Sequence, residues 1–266
     1  MADGAIRPII DAVTQAADHA LELWAGGAPQ VRRWEKIPGH PVCDADIAVD
    51  EMLRASLAQI APDAGWLSEE TADSAARLSM ERIWVVDPID GTRDYLGGKS
   101  GWAVSVALVE NGQPIIGILA APARNELWIA QASKGAWCNG RELSASAREL
   151  IAGARVPADM LPQTERDLTC VSRPNSIALR MAMVAADEAD MVAGLRWGYE
   201  WDIAAAALIA SEAGAMVTDV LGDPLAFNQP DPVALGILCC APGIHDAAVA
   251  RLAERARKVQ ADKRRN

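Results

Sequence analysis

The chain has 266 residues, 51% of them apolar and 23% charged, a composition that folds around a core and excludes a disordered chain. A net charge of −11 argues against a nucleic-acid polymer or an anionic membrane surface as partner, and no apolar run reaches the ~18 residues of a spanning helix. Cys43, Cys138, Cys170, Cys239 and Cys240 form no CxxC pair, and His19, His40 and His245 are scattered; this predicts reduced thiols in a cytoplasmic protein and no histidine-built zinc site.

In chain order, residues 3–24 place Ile6, Ile10, Val13, Ala17, Leu21 and Trp24 at helical spacing, with Gly26–Gly27 ending the helix. A short strand is predicted over 31–36, then a turn at Pro38–Gly39. A second helix begins at Asp44-Ala45-Asp46 and ends before Pro62; an acidic pair at a helix start suits capping and the dipole. The Glu69-Glu70 loop follows. Ile83 to Val86 reads as a buried strand that turns sharply into Asp87-Pro88-Ile89-Asp90-Gly91-Thr92.

Strands are then predicted over 102–109, 114–119, 126–131 and 136–138, with two-residue turns at Asn111–Gly112 and Asn139–Gly140. This antiparallel series with flanking helices makes an α+β layer. Residues 144–175, with Pro157, Pro162 and Pro174, are the least regular stretch. A boundary near their start divides the chain into 1–143, carrying most of the acids, and 144–266, an α/β layer supplying Asp202. That second part reads as a helix over 176–187, a strand over 191–193, an alanine-rich helix over 202–213, a strand over 237–240 and a last helix from Ile244. Its basic end, Lys258 to Arg265, reads as a solvated tail.

Asp87 and Asp90 flank a turn whose Gly91 and Thr92 amides would attract a phosphate that the two acids repel. A divalent cation between them removes the conflict, and oxygen-only ligands suit Mg²⁺. Taken alone, Asp-x-x-Asp is equally the chemistry of an Asx-turn. Glu69, Glu70 and Asp202 are further acids that strand or helix ends would place nearby, although Asp202 also reads as a helix cap.

Together, Glu69-Glu70, Trp84-Val85-Val86-Asp87-Pro88-Ile89-Asp90-Gly91-Thr92 and Trp201-Asp202-Ile203-Ala204-Ala205 resemble the fingerprint of the inositol monophosphatase superfamily of magnesium-dependent, often lithium-sensitive phosphatases. Lys36 to Asp46, Asn139 to Leu143 and the chain from Ile177 onward extend the similarity. The resemblance implies a layered α-β-α-β-α sandwich and hydrolysis of a small anionic phosphate ester by a metal-activated water. It assigns one Mg²⁺ to Glu69, Asp87 and the Ile89 carbonyl, and a second to Asp87, Asp90 and Asp202. Thr92 and Glu69 would orient and deprotonate the water, and Asp46 would hold a third, weaker ion or support the water network. Gly91 and Thr92, beside Asp90 and Asp202, would hold the substrate, and a homodimer is the family's usual assembly.

The chain departs from the family at His40 for Ser, Cys43 for Thr, Ser68 for Gly, Ala206 for Gly, and in a short 144–175 segment. Cys43, Ser68 and Ala206 keep a non-catalytic binding protein as a third reading. Arg93-Asp94-Tyr95 after the central motif, with Pro41-Val42 and Ala45-Asp46, is closer to the 3′(2′),5′-bisphosphate nucleotidase branch than to inositol phosphatases. A second substrate phosphate needs a cation, for which Arg196 and Arg173 are the candidates.

Overall fold

Residues 6–24, 31–37 and 40–263 are described in the computed structural model; the Gly26–Gly27 helix stop, the Pro38–Gly39 turn, the His40 side chain and Arg264–Arg265 lie outside what is described. The chain opens with helix α1 (Arg7–Trp24), a ribbon of strands β1 (Arg33–Ile37) and β2 (His40–Cys43), and helix α2 (Asp44–Ile60). A seven-stranded sheet follows, its strands adjacent in chain order: β3 (Gly65–Ser68), β4 (Arg82–Asp90), β5 (Ala103–Glu110), β6 (Gln113–Ala121), β7 (Glu126–Gln131), β8 (Gly135–Cys138) and β9 (Arg141–Glu142). β3 runs parallel to β4 and the other pairs are antiparallel. The short helix α3 (Thr92–Leu96) joins β4 to β5.

Residues 144–175 hold a parallel pair, β10 (Arg155–Pro157) and β11 (Thr169–Val171). Then come α4 (Ile177–Ala185), β12 (Met191–Gly194), β13 (Gly198–Tyr199), α5 (Glu200–Glu212), β14 (Met216–Thr218), β15 (Val233–Ala234), β16 (Ile237–Cys240) and α6 (His245–Lys263). Strands β12, β16 and β14 form a second, antiparallel sheet.

Strand alternation sets the layers. In β4, Trp84 and Val86 face α1 and α2, where they pack with Val13, Val49, Leu53 and Leu57. Ile83 and Val85 face the other way, towards α4 and α5. In β16, Ile237 and Cys239 join that same middle core, whereas Leu238 and Cys240 pack under α6 with Ile244, Ala248 and Leu252. The order is therefore α1/α2, large sheet, α4/α5, small sheet, α6: an α-β-α-β-α sandwich. Each fully buried aliphatic side chain contributes roughly 1.5–3 kcal/mol to holding these layers together.

Helix α5 lies between the two sheets, which explains its composition. It has no polar stripe, because Ile203 to Ala210 are all buried. Ala206, which stands where the family has Gly, is one of them. Close approach is relieved at Gly117 of β6 instead, where a Cβ would come 2.6 Å from the Ala205 carbonyl oxygen. Asn111–Gly112 and Asn139–Gly140 turn with all four φ angles positive (49° and 77°, 50° and 79°), as two-residue hairpin turns require.

One local expectation is corrected. The chain does not turn at Asp87; β4 continues to Asp90. Pairing with β5 stops after Asp87↔Ser105 and resumes at Asp90↔Ala103, so Pro88 and Ile89 form a bulge. A bulge accommodates Pro88, which has no N–H to give the ladder, and the turn itself falls at Gly91 (φ 95°). A Cβ at Gly91 would lie 2.7 Å from the Gly101 carbonyl and 2.9 Å from the Ser176 amide nitrogen, so glycine is required there.

Candidate active site

The acids converge because β3 and β4 are parallel neighbours, and β3 ends level with Val86, one residue before Asp87. Ser68 is in register with Val86, and the Glu69 amide donates to the Val86 carbonyl at 3.3 Å, so Glu69 leaves the sheet beside Asp87. Asp202 arrives from the first turn of α5. It is the third residue of that helix rather than its cap; the capping position belongs to Tyr199, whose amide donates to Asp202 Oδ2 at 3.2 Å. Carboxylate oxygens of Glu69, Asp87 and Asp202 all lie within 4.8 Å of one another.

Such crowding of one buried acid, Asp87, with the half-buried Glu69 and Asp202 is unfavourable in the ionised state. Burial, then Glu69, Asp90 and Asp202, hold the Asp87 carboxyl well above its usual range; burial, then Asp90 and Glu69, do the same for Asp202. Burial pushes Glu69 up to about 7, against the opposing pull of Lys36. A buried, oxygen-only donor set that is short of positive charge fits a hard divalent cation, which would replace the protons these groups otherwise retain.

Asp90 and Asp46 stand beside this trio with their hydrogen bonds already made. Asp90 Oδ2 accepts from Ser176 Oγ (2.5 Å) and the Ala178 amide (2.8 Å), and Oδ1 from the Ile177 amide (3.3 Å), so the start of α4 is bound to the central motif. Asp46 Oδ2 accepts from the Cys43 amide and thiol, both at 2.9 Å. Thr92 Oγ1 is 3.0 Å from the Ile89 carbonyl and 3.3 Å from Asp46 Oδ1, and its one proton serves either. Cys43 therefore keeps the donor role that the usual Thr hydroxyl has available, and burial raises its thiol to about 12.

Three further contacts fix the frame. Lys36 Nζ donates to the Glu69 carbonyl at 3.0 Å and pairs with Glu70, tying the β1–β2 ribbon to the acid loop. Asp50 of α2 receives the hydroxyls of Ser68 and Thr71, so Ser68 anchors the loop from which Glu69 projects. Tyr95, fully buried, donates its hydroxyl to the Ala20 carbonyl at 2.9 Å and packs edge-on against Trp102, which secures α3 and the Gly91–Thr92 turn.

A cavity of about 370 Å³ opens over the acids. Of the residues that the resemblance assigns to the site, Glu69, Asp87, Ile89, Asp90, Gly91, Thr92, Asp202 and Arg196 line it. Asp46 touches it through Thr92. Arg173 does not line the cavity; it is ion-paired with Asp159 at 2.8 Å, and that expectation is corrected. Arg93, Asn175 and Trp197 line the cavity without having been anticipated. Arg93 adjoins the motif and could have been read as a rim cation; nothing local marks Asn175, whose amide donates to Asp94 Oδ2 at 3.0 Å.

An acid cluster able to hold a divalent cation thus stands at the strand ends of a five-layered sandwich, open to a cavity that arginines also line. The chain belongs to the inositol monophosphatase family, whose model matches residues 6–258 and whose members hydrolyse phosphate monoesters. It is 35% identical to a Streptomyces griseus protein named glucose-1-phosphate thymidylyltransferase, over 79% of this chain and 84% of that one. It is 32% identical to an inositol-1-monophosphatase of Mesorhizobium japonicum (84% and 88% covered) and 30% identical to the 3′(2′),5′-bisphosphate nucleotidase CysQ of Shigella flexneri (80% and 89%). Among solved structures, an inositol monophosphatase (IMPase) of Thermotoga maritima superposes with a TM-score of 0.80 at 27% identity, over 94% of this chain and 97% of that one.

Proposed function

We propose that the protein is a Mg²⁺-dependent phosphomonoesterase of the cytoplasm whose substrate is a 3′(2′),5′-bisphosphate nucleotide, adenosine 3′,5′-bisphosphate being released as AMP. In this reading Glu69, Asp87 and the Ile89 carbonyl hold one ion, and Asp87, Asp90 and Asp202 hold another. Bound Mg²⁺ would supply Lewis acidity towards the attacking water and the leaving oxygen. Thr92 orients the water through its hydroxyl. Glu69, beside that water, is the group that would receive its proton. The Gly91 and Thr92 amides hold the phosphoryl oxygens.

The observation that carries the substrate assignment is the division of the cavity. Asp87 and Asp90 on its lining are buried, whereas Arg93 and Arg196 on the same lining are exposed to solvent, so the acids form its floor and the arginines its wall. A metal-bound phosphate needs the floor alone, and the hydroxyls of an inositol ring carry no charge for an arginine to meet. A second phosphate does, and the guanidinium fork is shaped for it.

The test compares kcat/KM for adenosine 3′,5′-bisphosphate and inositol 1-phosphate in the wild type and in Arg196→Ala, at saturating Mg²⁺. The nucleotide is expected to be preferred, and the variant to raise its KM about tenfold or more, the scale of a charge-assisted contact. A tenfold preference for inositol 1-phosphate would reverse the assignment. An unchanged nucleotide KM in Arg196→Ala would remove that arginine alone.

A further inference from the structure

Glu69 and Asp202 belong to segments far apart in the chain, and a buried bridge joins those segments outside the acid cluster. Arg77 lies in the turn Ala75–Ser79 that follows the Glu69 loop and is 3% exposed; Glu200 opens α5, on the same first turn as Asp202, and is 2% exposed. Burying either charge is costly unless its hydrogen bonds are met. Both are met on one short turn, Phe227 to Gln229.

Arg77 Nη1 donates to Asn228 Oδ1 at 2.8 Å and Nη2 to the Gln229 carbonyl at 2.9 Å, while Asn228 Nδ2 donates back to the Arg77 carbonyl at 3.2 Å. Asp73 grips the guanidinium from the other side at 2.7 and 2.9 Å. On the opposite flank of the turn, Glu200 accepts the Asn228 amide (2.7 Å) and the Gln229 amide (2.8 Å) with its two oxygens. The Glu200 amide itself donates to the Pro232 carbonyl at 3.0 Å, and Tyr199 is in register with Val233. Asn228 takes a left-handed conformation, φ 61°, that lets the turn present both faces.

We infer that the Arg77–Asn228–Glu200 bridge positions the metal site, holding the Glu69 loop against the start of α5 so that mutually repelling carboxylates stay at coordinating separation. Without it, the repulsion among Glu69, Asp87 and Asp202 is opposed only on each side separately, by Lys36 and Asp50 at the Glu69 loop and by the packing of α5 at Asp202. Arg77, Asn228 and Glu200 then work through Glu69 and Asp202 and touch neither ion nor substrate. This inference rests on the reading that the three-acid cluster binds Mg²⁺.

The test measures Mg²⁺ binding to the full chain by titration calorimetry without substrate, beside the melting temperature without Mg²⁺. Asn228→Gly is the principal variant. It keeps the left-handed backbone free of strain, keeps the amide bond to Glu200, and deletes only the side-chain bonds to Arg77. Arg77→Lys keeps the charge and loses the fork. The Mg²⁺ dissociation constant is expected to rise about 10–100-fold in both, as when outer partners of metal ligands are removed, with kcat at saturating Mg²⁺ reduced far less. Unchanged Mg²⁺ affinity in Asn228→Gly, with only a lower melting temperature, would make the bridge a structural strut and overturn the inference; this variant decides if Arg77→Lys fails to fold. A wild type that binds no Mg²⁺ would overturn the metal reading and the inference with it.

Discussion

Helices α2 and α5 begin alike and end up in different roles. Each has an aspartate as its third residue, and each aspartate accepts the amide of the residue before the helix: Asp46 from Cys43 at 2.9 Å, Asp202 from Tyr199 at 3.2 Å. Around Asp46 the Cys43 thiol and Thr92 hydroxyl complete the set of donors. Around Asp202 the neighbours are Glu69 and Asp87, which repel it. A helix start therefore aims an acid, and the remaining partners decide whether that acid braces the structure or is left for a cation.

The largest effect that would break this contrast comes from Asp202→Asn. Turnover should fall at least ~10³-fold at saturating Mg²⁺, the scale of losing a preorganised electrostatic partner, while the Mg²⁺-free melting temperature holds or rises because the neutral amide removes a carboxyl whose ionisation its neighbours oppose. Near-normal turnover would mean that Asp202 is a second brace like Asp46.

Next in size is the pH dependence of the metal-free protein. Glu69 is raised from 4.5 to about 7 in the folded state, so the fold binds the extra proton in between. Its contribution is fully present below about pH 4.5 and is lost as pH rises through about 7, a fall on the order of a few kcal/mol. Mg²⁺ should flatten the slope. Denaturant melts across that range would refute this if metal-free stability rose with pH.

Ser176→Ala should cost about 1–2 kcal/mol, because one hydroxyl caps α4 through the Leu179 amide and donates to Asp90. Thermal melts with and without Mg²⁺ read it out; no loss of stability would mean that Asp90 is held by the α4 amides alone. The smallest effect is expected of Cys43→Ser, which keeps a donor to Asp46: less than about 1 kcal/mol. A severe loss of activity there would show that sulfur itself matters.

Much of the floor of the site was legible because it is local. Asp87 to Thr92 is one strand end and turn, and Glu69 and Asp202 stand beside recognisable motifs. Strand periodicity also gave the hairpins, since Asn-Gly turns and alternating apolar residues carry their own geometry. What periodicity does not encode is pairing across the chain. Asp90 capping α4 through Ser176, Arg77 meeting Asn228, and Asn175 joining the cavity depend on how layers stack, not on any local pattern. The bulge at Pro88–Ile89 was hidden for a related reason: Asp-Pro is a turn dipeptide in isolation, and only pairing of Asp90 with Ala103 keeps the strand going. Arg173 stands out in the sequence by its charge alone, and Asp159 claims that charge first.

The burial of α5 between two sheets has a consequence for how amide hydrogens exchange with solvent. Ile203 to Ala210 reach water only when a sheet lifts away, so their exchange should follow opening of the whole molecule. The β1–β2 ribbon exposes most of its β1 side chains and should exchange through small local openings. Lys36, which grips Glu69 and Glu70, rides on that fast-opening ribbon, whereas Asp202 rides on the slow helix. The two sides of one cluster should thus exchange at opposite ends of the protein's range of timescales.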